Sequence, residues 1–368
     1  MYAKLVTNIT TFSANVYYNT LMDVITGAIT SNSQLDGVLF NQSSSVINTN
    51  VASNWSNYDT SANATSTNYI LSGCAPRVIR AQVSDDATRY KYLWTGQVYG
   101  SSNTYNHVYA IPAEGWNTST KSGNNIYTTP PSTTQSTPVW NSLIQPDTTA
   151  GSGGTVTIIS ASQSHLFVSY TKIGTNYNQN YFLCSEFTRD DPWNTVSNGY
   201  PSWFTIGQNS NYQSTDIGGA SCGTITRGLL SQTGADSNHI NMGTTSASYI
   251  TPMTRYYAYN QTWSSYYPFG LAGATVYPMF NAAANYWTRD SSKNTAIPLA
   301  EFKLVQTVVN TPSNIGLFAG GSITNKAPYI YGTRYDLFNN LDEIVIGGYT
   351  YTAIRLYSGN CLILVKQQ

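Results

Sequence analysis

Between residues 11 and 29 the apolar side chains Tyr17, Leu21, Val24, Ile25 and Ala28 recur at three- and four-residue steps, which lines them along one face of a helix. Thr11 or Ser13 stands where an N-cap belongs. Such a stripe suits two placements: against the body of its own domain, or as a terminal arm docked on a neighbouring subunit.

From about residue 35 the period shortens. Arg77-Val78-Ile79-Arg80-Ala81-Gln82-Val83 and Tyr90-Lys91-Tyr92-Leu93-Trp94 are strand-like runs set between Asn, Gly and Ser clusters, the pattern of an antiparallel β-domain. The prolines at 130, 131 and 138 predict an extended surface segment, because proline cannot donate to a ladder. Thr149 to Gly154 is the best candidate boundary. Beyond it, Thr155 to Ser160 and His165 to Tyr170 read as paired strands, with His165 packed inside the second. Residues 206 to 295, rich in Gly, Asn, Ser and Tyr, read as long loops. Ile344 to Ile346, Tyr349 to Tyr357 and Cys361 to Val365 then predict a closing three-strand meander with tight turns at Gly347-Gly348 and Ser358-Gly359-Asn360. The expected fold is mainly β: antiparallel sandwich or barrel-like domains with long loops, one N-terminal amphipathic helix and a C-terminal meander. The division that follows is 1–35 for the arm and helix, 36–150 for a β-domain, 151–338 for a loop-rich β-domain, and 339–368 for the meander packed on it.

Composition shifts the functional reading away from catalysis. Of 368 residues only 9% are charged, against about one quarter in an ordinary soluble domain, while 30 are tyrosines. Glu114, Glu186, Glu301 and Glu343 are the glutamates, and His107, His165 and His239 the histidines, so groups for proton transfer are sparse and scattered. The 41% hydrophobic fraction argues that the chain folds. With 17 acidic and 17 basic residues and no basic run, nucleic acid is excluded as a partner. No signal-like or membrane-spanning apolar run is legible, so synthesis in a cytoplasm without a membrane anchor is expected. Cys74, Cys184, Cys222 and Cys361 form no CxxC pair, which rules out a clustered zinc knuckle and reads as buried thiols. Neither metal nor cofactor is expected.

Motifs for chemistry are few. The sequence lacks a GxGxxG fingerprint and a P-loop. Glycoside cleavage needs two facing carboxyl groups, and the dense acidic stretch is Glu186-Phe187-Thr188-Arg189-Asp190-Asp191-Pro192-Trp193. There Glu186 with Asp190 or Asp191 could serve as acid and base beside Trp193. The structural alternative has an aspartate capping a turn while Arg189 pairs with a carboxylate. Tyr256, Tyr257, Tyr259, Trp263, Tyr266 and Tyr267 form aromatic clusters that suit subunit contacts better than sugar in so uncharged a chain. With Tyr17, Leu21, Val24 and Ile25 they make up the expected interface set.

Three segments carry a resemblance: Gln34-Leu35-Asp36-Gly37 through Ser43 to Thr49; Cys184 through Val196; and Tyr349 to Tyr357 with the closing Leu-Ile-Leu-Val-Lys. Together they resemble virion structural proteins of tailed bacteriophages. The resemblance implies a tail, baseplate, fibre or capsid-surface component in contact with other virion proteins and with copies of itself. It brings no catalytic residues. A host-surface glycan-binding protein, a depolymerase and a capsid decoration protein are the alternative readings.

Overall fold

The computed structural model describes residues 1–7, 14–35, 40, 43–61, 76–84, 86–99, 106–113, 115–124, 141–144, 154–174, 180–189, 202–208, 221–226, 239–242, 255–257, 263–265, 300–301, 303–305, 322–325, 329–333, 338–355 and 362–368. The first half contributes β1 (Tyr2–Thr7), the helix α1 (Ala14–Ile25), β2 (Val46–Asn48), β3 (Trp55–Asp59), β4 (Arg77–Val83), β5 (Asp86–Tyr99), β6 (Asn106–Ala113), the small hairpin β7 (Gly115–Asn117) and β8 (Ser122–Asn124), and β9 (Asn141–Ile144). The second adds β10 (Thr155–Ala161), β11 (His165–Lys172), β12 (Asn180–Arg189), β13 (Ser202–Gln208), β14 (Ser221–Thr226) and β15 (His239–Met242). The main antiparallel sheet runs β2-β1-β10-β11-β12-β13-β9-β6-β5-β4-β3, with β14 and β15 continuing from β13.

This sheet is rolled without closing. Ala3 and Leu5 of β1, Ile159 of β10, Leu166 and Val168 of β11 and Phe182 and Cys184 of β12 share one core with Trp55, Ile79, Ala81, Leu93, Val108 and Ala110 of β3 to β6. The two halves therefore face each other. α1 lies between them: the Tyr17 hydroxyl bonds Thr157 of β10, and the Tyr18 hydroxyl donates to the Thr95 carbonyl of β5 at 3.1 Å. A helix gripped from two sides is buried on both. Tyr17, Tyr18, Leu21, Met22, Val24 and Ile25 are all fully covered, each worth about 1.5–3 kcal/mol of burial.

α1 ends in a Schellman turn. Gly27 adopts φ 74°, its N–H donates to the Val24 carbonyl at 3.1 Å, and the Ala28 N–H reaches the Asp23 carbonyl at 2.8 Å. Ala28, expected on the apolar stripe, is past the helix and exposed. Of the two placements expected for the helix, the structure shows packing on its own chain: Tyr17, Leu21, Val24 and Ile25 belong to the core. The candidate caps Thr11 and Ser13 lie outside the described residues, as do the prolines at 130, 131 and 138.

Two expected divisions are corrected. Residues 1–7 are no arm: β1 is an inner strand, paired with β10 from Tyr2↔Ser160 to Thr7↔Thr155 and with β2 on its other side. Its alternating and contiguous apolar residues find cover on both faces, as β10 does with every residue buried. Residues 36–150 and 151–338 do not separate either, since β9 bridges β13 at Ser142↔Gln208 and both halves fill one core. Within 206–295, expected as loops, the chain also forms β14, β15 and the pair β16 (Arg255–Tyr257) and β17 (Trp263–Ser265).

After β16 and β17 come β18 (Ala300–Glu301), β19 (Lys303–Val305), β20 (Ser322–Asn325), β21 (Ile330–Thr333), β22 (Glu343–Ile346), β23 (Tyr349–Arg355) and β24 (Leu362–Lys366). β19 and β20 extend the main sheet from β12, and the rest form a five-stranded sheet in the order β18-β21-β24-β23-β22. Its last three strands are the expected meander. Gly347 and Gly348, at φ 58° and 83°, supply the two left-handed residues that a tight type I′ hairpin requires. This sheet packs on the N-terminal strands: the Tyr2 hydroxyl bonds Thr352 at 2.6 Å, and the Asn48 amide donates to the Gln367 carbonyl at 2.6 Å.

Candidate functional site

Glu186, the one acidic candidate that the structure places, lies on β12 in phase with Cys184 and Phe182 and so points into the rolled sheet. On β5, Lys91 shares its phase with Leu93, Thr95 and Gln97, all fully buried. Because the halves face each other, these two chains meet. Both side chains are 0% exposed, and Lys91 Nζ donates to Glu186 Oε1.

The pair is closed by the β4–β5 turn. The Ser84 N–H donates to Glu186 Oε1 at 3.0 Å and to Oε2 at 3.2 Å, and the Ser84 hydroxyl also donates to Oε2. Lys91 Nζ donates to the Gln82 carbonyl at 3.0 Å and stands 6.0 Å from the centre of the Trp55 ring. Every carboxylate oxygen is thus occupied. A buried charge is tolerated only under such complete pairing.

Next to this clamp, His165 opens β11. Its Nε2 shares a hydrogen bond with the Ser160 hydroxyl at 2.9 Å and its Nδ1 one with Ser162 at 2.8 Å. Burial, then the positive charges of the Met1 amine and Lys91, lowers its pKa to about 3, so the ring is neutral near pH 7. One nitrogen donates to a serine and the other accepts. Trp55 Nε1 donates to the carbonyls of Ser162 at 3.0 Å and His165 at 3.2 Å, tying β3 to the β10–β11 turn. Cys184, opposite Leu166, is a free thiol. Burial pushes its pKa up, with Lys91 opposing and Glu186 adding, so it stays protonated and unreactive.

Chemically, these groups hold strands together. Glu186 is not presented to solvent as an acid or base, because its proton-accepting positions are taken by Lys91 and Ser84. Asp190, Asp191 and Trp193 lie outside the described residues, as does the side chain of Arg189 on β12, so the capping and pairing expected there is not seen. Cys74 and Cys361 are likewise outside, with the side chains of His107, His239 and Cys222. Among the described residues no three His, Cys, Asp or Glu side chains converge as a metal site. Of the aromatic interface set, Tyr256, Tyr257 and Trp263 fall in the β16–β17 pair, with Tyr257 opposite Trp263. Their side chains, and all of Tyr259, Tyr266 and Tyr267, lie outside the described residues.

Lys91 and Ser84 were not singled out from sequence. A signal existed: in Tyr90-Lys91-Tyr92-Leu93-Trp94, period two puts Lys91 in phase with Leu93, and a lysine on the apolar side of a strand requires an internal counter-charge. No protein-family model matches the chain, and no curated protein matches it significantly.

Proposed function

We propose that the chain is a structural component of a tailed-bacteriophage virion, associated with the tail, baseplate or fibre and acting through lasting contacts with other virion proteins and with its own copies. The observation that supports this reading best is the use made of the chemistry-bearing residues: Glu186, Lys91, His165 and Cys184 are spent on interior cohesion between strands. What remains for the outside is a chain poor in charge and rich in tyrosine and short hydrogen-bonding side chains, the composition of surfaces that stay in contact. The resemblance to virion structural proteins points the same way.

Negative-stain imaging of purified phage particles with an antibody against this chain tests the proposal. Label is expected at a fixed position near the tail. Particles that never carry label overturn it, and release of reducing ends from host-surface polysaccharide by the wild-type chain would put a depolymerase in its place.

A further inference from the structure

On the face of β3, β4 and β5 opposite the main core stands a cation, Arg80, that has no carboxylate partner among the described residues. Arg80 on β4 points away from the main core, in the phase of Gln82 and of Val78, which belongs to a second, smaller buried cluster with Trp94, Ile111 and Trp116 on which Tyr58 and Tyr92 pack. Its guanidinium carbon stands 4.1 Å from the centre of the Tyr58 ring and 4.2 Å from that of Tyr90. Tyr92, opposite Arg80 in register, meets Tyr58 edge-on at 5.3 Å and Tyr90 at 6.1 Å. All four side chains are partly buried and keep some surface in water.

Carboxylates on the adjoining strands are committed elsewhere. Asp59 takes both oxygens to Lys121 at 2.9 Å and one to Trp116 Nε1 at 2.8 Å, and Asp86 serves Thr88 and Arg89. Among the described residues Arg80 has ring contacts and no carboxylate. We infer that Tyr58, Arg80, Tyr90 and Tyr92 form a binding site for an acidic sugar, a carboxylated pyranose such as a uronate unit of a polysaccharide. This goes beyond the assembly role and does not depend on it.

The two rings fix the guanidinium before any ligand arrives, so little side-chain freedom is lost on binding. Its planar fork can then grip a carboxylate through two parallel hydrogen bonds. The tyrosines beside it offer apolar surface to the C–H face of a pyranose and hydroxyls to its rim. Exposed Ser56, opposite Arg80 on β3, adds another hydroxyl.

Titration of the full chain with polygalacturonate and with neutral dextran, followed by calorimetry, tests the site. Saturable binding to polygalacturonate alone is expected. Arg80→Gln should weaken it on the order of tenfold or more, and Arg80→Lys, which keeps the charge but loses the fork, should weaken it nearly as much with an unchanged melting temperature. Failure of the wild type to bind polygalacturonate, or full affinity in Arg80→Lys, overturns the assignment. Equal, Arg80-dependent binding of poly-L-glutamate also overturns it, in favour of an acidic protein partner.

Discussion

Two lysine–glutamate pairs join distant parts of this chain, one inside the rolled sheet and one on the seam with the C-terminal sheet. Lys91 and Glu186 are 0% exposed; Lys4 and Glu343, 2.7 Å apart, keep 20% and 47% of their side chains in water. The ions are the same and the surroundings opposite. Inside, each charge has lost its hydration, so the pair persists because Ser84 and the Gln82 carbonyl complete it. At the seam, water already solvates both ends, and the apolar and polar contacts around the pair hold the sheets together. The comparison teaches that proximity of opposite charges says little about their worth; what each would face alone decides it.

The largest effect expected comes from removing the seam altogether. Ending the chain after Asn340 deletes Ile354, Leu362, Ile363, Leu364 and Val365, each no more than 1% exposed, as well as the partners of Tyr2 and Asn48. At about 1.5–3 kcal/mol each, even discounted for residual burial in the unfolded chain, this approaches or exceeds the about 5–15 kcal/mol that holds a typical domain folded. Insoluble protein is expected. A soluble truncation with the wild-type melting temperature would instead make the C-terminal sheet an independent unit and the seam incidental.

Next is the interior clamp. Glu186→Gln leaves the buried Lys91 ammonium without its counter-charge and should cost about 3–5 kcal/mol in urea-unfolding stability. The double variant Lys91→Met with Glu186→Leu should recover most of that loss, because it removes both buried charges together. If Glu186→Gln costs less than about 1 kcal/mol, the interior pair behaves like a surface pair and the contrast collapses.

The sequence reveals these two regions unequally. β10, β11 and the meander were legible because β-branched runs and turn residues such as Gly347-Gly348 are local signals. The helix was legible too, but its stripe of Tyr17, Leu21, Val24 and Ile25 undercounts the burial: Tyr18 and Met22, on its flank, are covered by the other half of the sheet. Nothing local announces that β1 pairs with β10 across the whole intervening half of the sheet. For the same reason the sequence offered Glu186 only neighbours such as Asp190 and Asp191 as partners, whether for an acid–base pair or for a turn. Its partner, Lys91, comes from a strand in the opposite half, and only the roll of the sheet brings the two together.

Acidification should expose the interior next. His165 stays neutral in the folded chain down to about pH 3, whereas the unfolded chain takes up a proton below its ordinary value of 6.5. Between those values the unfolded state binds more protons, so stability falls as pH falls, by about 1.4 kcal/mol per pH unit for this one group. Lowering the pH from 6.5 to 5, above the carboxylate range, should remove about 2 kcal/mol. Burial also lowers the Met1 amine from 8.0 to about 5, which adds a slope of the same sign from pH 8 downward. The difference between wild type and His165→Gln isolates the histidine: the variant's stability should decline less steeply between pH 6.5 and 5. Parallel pH profiles would mean that His165 accepts its proton without opening the strands.

The smallest effect belongs to the seam pair. Lys4 lies on β1 opposite Val46, and its hydrogen bond is the leading cause that holds the Glu343 carboxyl below the usual carboxylate range, with burial acting against it. That shift reports an interaction, but the half-exposed carboxylate regains water when the lysine is removed. Lys4→Met keeps the aliphatic stem over the strand and should therefore cost about 0–1 kcal/mol. The cost should fade further as salt is raised, since charges in contact with solvent are screened over about 8–10 Å at moderate ionic strength. Urea unfolding of Lys4→Met at low and high salt measures both. A cost near that of Glu186→Gln, unchanged by salt, would show that the seam excludes water as the interior does, and the two pairs would no longer stand as opposites.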